Sequence, residues 1–145
     1  MKIRSYSAGD RDACLHILEG NTPEFFVPMD ANDFSDFLDD LPGPYYIVDE
    51  AATVVACGGW AMDTEDIAAL TWGMVRRDLH RKGIGRVLLH YRLDAIRNDG
   101  RAKIVRIRTV QLVQAFYERE GFKVVEVVPN GYGEGLDRVT MALEF

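Results

Sequence analysis

The chain has 145 residues, 48% of them hydrophobic, and a formal net charge of −6, which predicts a single globular domain over residues 1–145. No apolar run approaches the length of a membrane span, and no apolar segment follows Met1–Arg4 to form a secretory signal. Cys14 and Cys57 are isolated and lack metal-ligand spacing, which predicts buried thiols in a reducing cytoplasm and no metal site.

The N-terminal half is predicted to place two helices between its first and second strands. A helix follows Ser7–Asp10, which resembles a capping box. A second helix carries an apolar stripe on one side and Asp33, Asp36 and Asp40 on the other. The predicted elements are a strand at 3–6, a helix ending near 20, a loop at 23–28, a helix at 31–41 and strands at 45–49 and 53–62.

The C-terminal half continues with strands and helices in alternation. Two long apolar runs are typical of central strands that are buried on both faces. The predicted elements are strands at 67–75, 104–109, 122–128 and 138–144, helices at 84–98 and 111–120, and a flexible loop at 129–135. The resulting order β-α-α-β-β-β-α-β-α-β-β indicates a mixed α/β layer fold.

The junction between the strand that ends at Val75 and the next helix contains Gly83 and Gly85 beside several basic residues. A glycine loop at a helix N-terminus binds phosphate, because the first N–H groups of the helix lack partners and the helix dipole is positive there. The alternative to a phosphate site is an ordinary strand-to-helix turn whose basic side chains are only solvated. A dinucleotide loop needs a third glycine where Leu88 stands, and the Walker A pattern is absent. A pyrophosphate loop of another type remains.

Two segments together resemble the GNAT superfamily of acyl-coenzyme A-dependent N-acetyltransferases. His80–Gly85 reads H-R-K-G-I-G and is similar to the family loop [Q/R]-x-x-G-x-[G/A], with His in the first position. Phe116–Phe122 reads F-Y-E-R-E-G-F and looks like the family segment F-Y-E-[K/R]-x-G-F. The resemblance covers essentially the whole chain.

The resemblance implies a mixed, mostly antiparallel sheet with helices on both faces and one splayed parallel pair, formed by strands 67–75 and 104–109. The wedge between these strands would admit the pantetheine arm of acetyl-coenzyme A (acetyl-CoA), the implied co-substrate, in the manner of an added strand. Gln111 would replace a family asparagine that contacts this arm. The implied cofactor-binding residues are Met74, Val75, His80, Arg81, Lys82, Gly83, Ile84, Gly85, Arg86 and Gln111.

The implied chemistry is attack of a neutral amine on a thioester, which needs a base for the amine and an acid for the departing thiolate. The resemblance places the acid at Tyr117. The base is less defined, because no carboxylate lies within 67–75. Glu65, with Asp66 beside it, stands at the mouth of that strand and is the first candidate. Other candidates are Glu24 and the Asp33/Asp36/Asp40 face.

The charge distribution bears on the acceptor. Residues 1–66 carry 14 acidic and 3 basic side chains, whereas residues 67–145 carry 9 acidic and 14 basic ones. The basic half suits a cofactor with phosphates, and the acidic half suits a cationic amine. The candidate acceptor-binding residues are Glu24, Phe25, Phe26 and Tyr132.

Two functions therefore follow from the sequence. The first is transfer of an acetyl group to a primary amine of a small molecule or peptide. The second is a non-catalytic domain that binds acyl-CoA for regulation or interaction. Nucleic acid is not an expected partner, because the basic residues form no single stripe. A membrane is not expected either, because no apolar run is long enough to span one. A homodimer is left open.

Overall fold

The computed structural model describes all residues from 1 to 145, which fold into seven strands and four α-helices. The strands are β1 (Lys2–Ser5), β2 (Tyr45–Glu50), β3 (Thr53–Met62), β4 (Ile67–Val75), β5 (Ile104–Thr109), β6 (Lys123–Gly133) and β7 (Leu136–Glu144). The helices are α1 (Arg11–Gly20), α2 (Asp30–Asp39), α3 (Ile84–Asp99) and α4 (Gln114–Arg119). The chain order of these elements is the predicted one. None of the helices has the length and apolar character needed to span a bilayer.

All seven strands join one sheet in the order β1-β2-β3-β4-β5-β7-β6. Every neighbouring pair is antiparallel except β4 and β5, which run parallel. The parallel pairing covers only residues 67–69 of β4 and 104–106 of β5. The predicted mostly antiparallel sheet with one parallel pair is confirmed.

Helices cover both faces of the sheet because neighbouring strand residues point to opposite sides. On one face, Tyr46 and Val48 of β2 join a core that contains the apolar stripe of α3, together with Tyr117 and Phe122. On the other face, Tyr45 and Ile47 pack with α1 and α2. We call these the α3/α4 face and the α1/α2 face.

The C-terminal hairpin differs from the sequence prediction. Residues 129–135 are expected from their glycine content to form a flexible loop, but β6 continues to Gly133 and β7 begins at Leu136. Side chains close this hairpin: Asp137 accepts a 2.9 Å hydrogen bond from the Asn130 N–H, and the Asn130 amide oxygen accepts one of 2.8 Å from the Gly135 N–H. The alternation of apolar and polar residues does not reveal these bonds across the turn, so the sequence predicts a loop where the strands continue.

Candidate active site

The loop between β4 and α3 contains two residues with an uncommon backbone conformation. Arg81 and Gly83 both have left-handed backbone conformations, with φ of 64° and 86°. Left-handed residues in such a loop turn successive N–H groups toward one point, and the N–H groups of the first turn of α3 have no partner within the helix. Arg81 adopts this conformation despite its side chain, a strain that concentrates at ligand sites. This geometry is suited to an anion, and residues 80–86 are called the anion-binding loop below.

Side chains add positive charge around this loop. Arg81 and Lys82 are exposed. Arg86 Nε donates a 2.9 Å hydrogen bond to Glu120, whose other carboxylate oxygen lies 2.7 Å from His90 Nε2. His90, followed by Arg86, holds the pKa of Glu120 below its usual range. Glu120 thus offsets part of the charge of Arg86 and leaves Arg81 and Lys82 uncompensated beside the loop.

His80 connects the loop to β4. Its Nε2 donates a 2.9 Å hydrogen bond to the Val75 carbonyl, which also accepts one of 3.0 Å from the Asn21 amide. The Arg76 N–H donates to the Val55 carbonyl, so in this antiparallel register the N–H and C=O of Val75 both point away from β3. Because the carbonyl of Val75 is occupied, its N–H is the group that remains to face β5.

A large cavity fills the wedge between β4 and β5. The two strands pair only as far as Ala69 and Arg106 and diverge beyond this point. The cavity has a volume of about 1020 Å³ and runs from the anion-binding loop through the wedge to the α1/α2 face. It is lined by β4 from Ala69 onward, by β5, by the glycine loop and by the segment that contains α4. An elongated molecule with an anionic end fits this shape.

A β-bulge in β4 shapes the wall of the cavity. Positions 71–74 of β4 pair with only positions 57–59 of β3, and Trp72 within the bulge has φ of 39°. The Trp72 carbonyl, displaced by the bulge, accepts a 2.7 Å hydrogen bond from the Tyr45 hydroxyl. Burial raises the pKa of Tyr45, so its hydroxyl stays protonated as a donor.

Tyr117 presents its hydroxyl to this cavity. The ring is 7% exposed and packs edge-on against Phe116 and Phe122, with centroid separations of 5.0 and 5.4 Å. The hydroxyl makes no hydrogen bond within the protein, and Tyr117 lines the cavity. The packed ring therefore holds a proton donor in a fixed position beside the wedge.

Aromatic side chains line the cavity toward α1 and α2. Phe26 stacks on Trp72 at a centroid distance of 6.3 Å, and Phe25 lies edge-on to His80 at 5.5 Å. Tyr132, from β6, completes the wall, and burial raises its pKa. This part of the cavity therefore has a largely aromatic wall.

One carboxylate belongs to this aromatic wall. Asp30, at the start of α2, lines the cavity, and its Oδ2 accepts a 2.9 Å hydrogen bond from the Val27 N–H. The second carboxylate of the cavity, Glu120, is engaged by His90 and Arg86 beside the loop. Asp30 is therefore the carboxylate on the aromatic side.

A family model for a GNAT acetyltransferase domain matches residues 43–145, well over half of the chain. The chain belongs to the GNAT acetyltransferase family. It is accordingly an acyltransferase, and its glycine loop and F-Y-E-R-E-G-F segment both lie within the matched region. A comparison with curated protein sequences finds no match.

Solved structures of GNAT proteins have the same fold. The ribosomal-protein-S18-alanine N-acetyltransferase from Escherichia coli is 22% identical, with a TM-score of 0.84 over 99% of this chain and 92% of that one. The aminoglycoside 6′-N-acetyltransferase from Enterococcus faecium is 16% identical, with a TM-score of 0.77 over 99% and 97%. A protein from Salmonella typhimurium described as an acetyltransferase, solved with acetyl-CoA, is 20% identical, with a TM-score of 0.76 over 99% and 93%.

Most of the implied cofactor-binding residues of the loop line the cavity, but the side chains of Ile84 and Gln111 do not. Ile84 is buried in the core beneath the loop, so its backbone alone faces a ligand. The Gln111 amide, expected at the pantetheine arm, instead donates to the Gly135 carbonyl at 2.7 Å and accepts from the Asp137 N–H at 2.8 Å. Gln111 therefore fixes the C-terminal hairpin, and both ends of its amide are already in use.

Glu65 does not line the cavity, so nothing in the structure supports its expected role as base. It lies exposed in the turn before β4, and the paired residues 67–69 separate it from the point where β4 and β5 diverge. Glu24 is directed to the surface, where it forms an ion pair with Arg77. The acidic face of α2 is exposed and does not line the cavity either; it comprises Asp33, Asp36 and Asp40.

Sequence reasoning missed several charged residues that line the cavity; they are Asp30, Arg92, Arg106, Arg108, Arg119 and Glu120. Asp30 lies just past the loop that supplied Phe25 and Phe26, but no local pattern distinguishes it from the acids that follow it. Arg92 leaves a clearer signal, because it continues the stripe of Ile84 and Leu88 at four-residue spacing and so places a charge on the apolar side of α3. The structure brings together no group of three or more potential metal ligands.

Proposed function

We propose that this GNAT protein is an N-acetyltransferase that moves the acetyl group of acetyl-CoA to a primary amine of a small molecule or peptide. One observation carries the proposal: a single cavity joins the anion-binding loop, the free hydroxyl of Tyr117 and the carboxylate of Asp30. The family loop, the proton donor and a candidate base thus share one continuous space.

The donor is expected to enter from the α3/α4 face. Its pyrophosphate would meet the N–H groups at the start of α3, with Arg81 and Lys82 beside them. Its pantetheine arm would follow the open edge of β4, where the Val75 N–H lacks a strand partner. These contacts use the backbone, so they require the loop conformation and the wedge more than any particular side chain.

The reaction forms a bond from the amine nitrogen to the acyl carbon and breaks the bond from that carbon to sulfur. A primary amine with a pKa of about 10.4 requires about 4–5 kcal/mol to deprotonate at neutral pH. We assign the removal of that proton, directly or through water, to Asp30. The departing thiolate takes the proton of the Tyr117 hydroxyl. The nitrogen loses its second proton as the amide forms, and that proton returns to the Tyr117 phenolate through solvent.

The acceptor is expected to be cationic in solution. Asp30 attracts an ammonium group, while the rings of Phe26, Trp72 and Tyr132 hold its carbon skeleton and exclude water. The solved relatives named above act, by their descriptions, on a ribosomal protein and on aminoglycosides. Both kinds of acceptor present amines, in keeping with the proposed class.

Thiol release from acetyl-CoA tests the proposal. The protein is mixed with polyamines, lysine-containing peptides, aminoglycosides and acidic amino acids, and each acceptor is checked by mass spectrometry for an added acetyl group. Release with cationic amines, decreasing as salt screens Asp30, is the expected result. Binding of acetyl-CoA without release from any amine would favour the non-catalytic domain instead.

A further inference from the structure

Arg92 places a buried positive charge inside the cavity. It lies on α3 two turns beyond Ile84, about 12 Å along the helix axis. Its side chain is directed toward the sheet and is 3% exposed, yet Arg92 lines the cavity. The preceding positions of the same stripe, Ile84 and Leu88, are apolar. A guanidinium therefore stands on the α3/α4 face of the sheet, at a position where the stripe predicts an apolar side chain.

Two glycines make room for this guanidinium. A Cβ atom at Gly73 would lie 2.9 Å from Arg92 Nη2 and 3.0 Å from Nη1, and one at Gly58 would lie 3.3 Å from Cζ. Gly58 is in β3, and Gly73 belongs to the bulge of β4. The guanidinium thus lies against the backbone at the place where β4 leaves its regular path.

The positive charge of Arg92 has no counter-ion. Nη1 donates a long hydrogen bond of 3.3 Å to the Gly59 carbonyl, whereas the buried Nε has no partner at all. Arg92 takes part in none of the twelve ion pairs that the chain contains. A guanidinium stays protonated in proteins, and a buried charge is costly unless it is paired. An anion is the group that this position lacks.

We propose that Arg92 binds the terminal carboxylate of a short dicarboxylic acyl group, so that the donor site accepts malonyl-CoA or succinyl-CoA beside acetyl-CoA. The inference rests on the proposed function and adds a second class of donor to it. The transfer itself is unchanged: the amine nitrogen bonds to the thioester carbon, the thiolate leaves with a proton, and the distal carboxylate stays intact.

The position of Arg92 favours the acyl carboxylate over the other anions of the reaction, which are the phosphates of the cofactor and the oxyanion of the tetrahedral intermediate. The phosphates bind at the start of α3, two turns away from Arg92. The acceptor enters from the α1/α2 face, on the opposite side of the sheet. The oxyanion of the tetrahedral intermediate exists only briefly, so it leaves the guanidinium uncompensated in the resting complex. A carboxylate on the acyl chain compensates it for as long as the donor is bound.

Calorimetry with the wild-type protein provides the first test, because donor binding does not require a known acceptor. Succinyl-CoA is compared with butyryl-CoA, which has the same chain length without the carboxylate. A charge-assisted pair predicts about 10- to 100-fold tighter binding of succinyl-CoA. Equal affinity for the two donors would overturn the proposal. Failure of acetyl-CoA to bind or react would instead count against the proposed function.

Variants assign the effect to Arg92. Arg92→Met keeps the length of the side chain, removes the unpaired charge and should lose the preference without lowering the melting temperature of the unliganded protein. Arg92→Lys keeps a charge without the planar fork and should retain part of the preference. Arg97→Met, an exposed change on the same helix, is the matched control and should behave as wild type.

Kinetics separate the remaining outcomes. Once an acceptor is known, Arg92→Met should lower kcat/KM for succinyl-CoA by about 10- to 100-fold relative to butyryl-CoA. A preference for succinyl-CoA that persists in Arg92→Met would place its cause elsewhere and refute the assignment. An equal drop in kcat for all donors, with no difference in binding, would identify Arg92 as an oxyanion-stabilising residue and refute it as well.

Discussion

The Tyr45 hydroxyl donates a 2.7 Å hydrogen bond to the carbonyl of Trp72. This bond connects β2 to the bulge of β4 across the intervening strand β3. The bulge places Trp72 on the α1/α2 face and Gly73 on the α3/α4 face. It therefore shapes both the aromatic wall of the cavity and the space that the Arg92 guanidinium occupies. One buried phenol thus stabilises the irregular backbone between the two halves of the site.

Tyr45→Phe removes this donor and leaves the Trp72 carbonyl without its partner. We expect the free energy of unfolding to fall by about 1–2 kcal/mol in urea titrations. Tyr91→Phe is the control, because the Tyr91 side chain is 42% exposed. If Tyr45→Phe were as stable as wild type, the hydrogen bond would not hold the bulge.

Gly83→Val should abolish the increase in melting temperature that acetyl-CoA produces. A saturating ligand at about 100 times its Kd adds about 2.7 kcal/mol of stability. Gly83 has φ of 86°, and no atom lies within 4 Å of the point that a Cβ would occupy, so the variant is strained but should fold.

Gly100→Val provides a closely matched control for that variant. Gly100 ends the same helix with φ of 85° and equal free space, but lies away from the cavity. Both unliganded variants should lose similar stability, and only Gly83→Val should lose the response to acetyl-CoA. If acetyl-CoA still raised the melting temperature of Gly83→Val, the loop would not be part of the cofactor site.

Tyr117→Phe keeps the packed ring and removes the proton donor. General acid catalysis typically contributes about 10²–10⁴-fold, so kcat should fall within that range while the KM for acetyl-CoA changes little. Thiol release under saturating acceptor measures both constants. Full kcat in the variant would show that Tyr117 only packs.

Asp30→Asn should raise the KM for a cationic amine and lower kcat, since it removes the carboxylate from the aromatic wall. The amide oxygen can still accept from the Val27 N–H, so the start of α2 should remain intact. Asp33→Asn, in the first turn of the same helix but exposed and outside the cavity, should leave both constants unchanged. Equal effects of the two substitutions would mean that only the general charge of the acidic half matters.

Asp10 should make stability depend on pH in the acidic range. The hydrogen bonds from Arg4 hold the pKa of the buried Asp10 carboxyl below its ordinary value of 3.8. The ionised carboxylate therefore stabilises the fold above this pH, and the contribution disappears as the pH falls through the lower, folded pKa. Asp10→Asn should thus cost about 1–3 kcal/mol at neutral pH, and progressively less as the pH falls below 3.8.

Urea unfolding at several pH values measures this difference between wild type and Asp10→Asn. Asp12→Asn, exposed on α1, is the control and should change stability little at any pH. A penalty for Asp10→Asn that is the same at neutral and acidic pH would exclude the ionisation of Asp10 as its cause.

The sequence by itself determined the order of elements and predicted the anion-binding loop. Apolar periodicity defined β4 and α3 because the same local spacing that marks a strand or helix also directs its buried face. Gly83 stood out because few other residues adopt the left-handed turn that starts α3. Tyr117 was located by its segment, since the F-Y-E-R-E-G-F motif is continuous in the chain.

Only the tertiary structure decided which charged side chains share the cavity. Glu65 adjoins β4 in sequence, yet the parallel pairing with β5 excludes it, whereas Asp30 arrives from a helix packed on the opposite face. Gln111 was drawn away by a hairpin that lies 24 residues further along the chain. The cavity is formed by the divergence of two strands and the packing of helices on both faces, and these depend on contacts between distant residues that local spacing does not record.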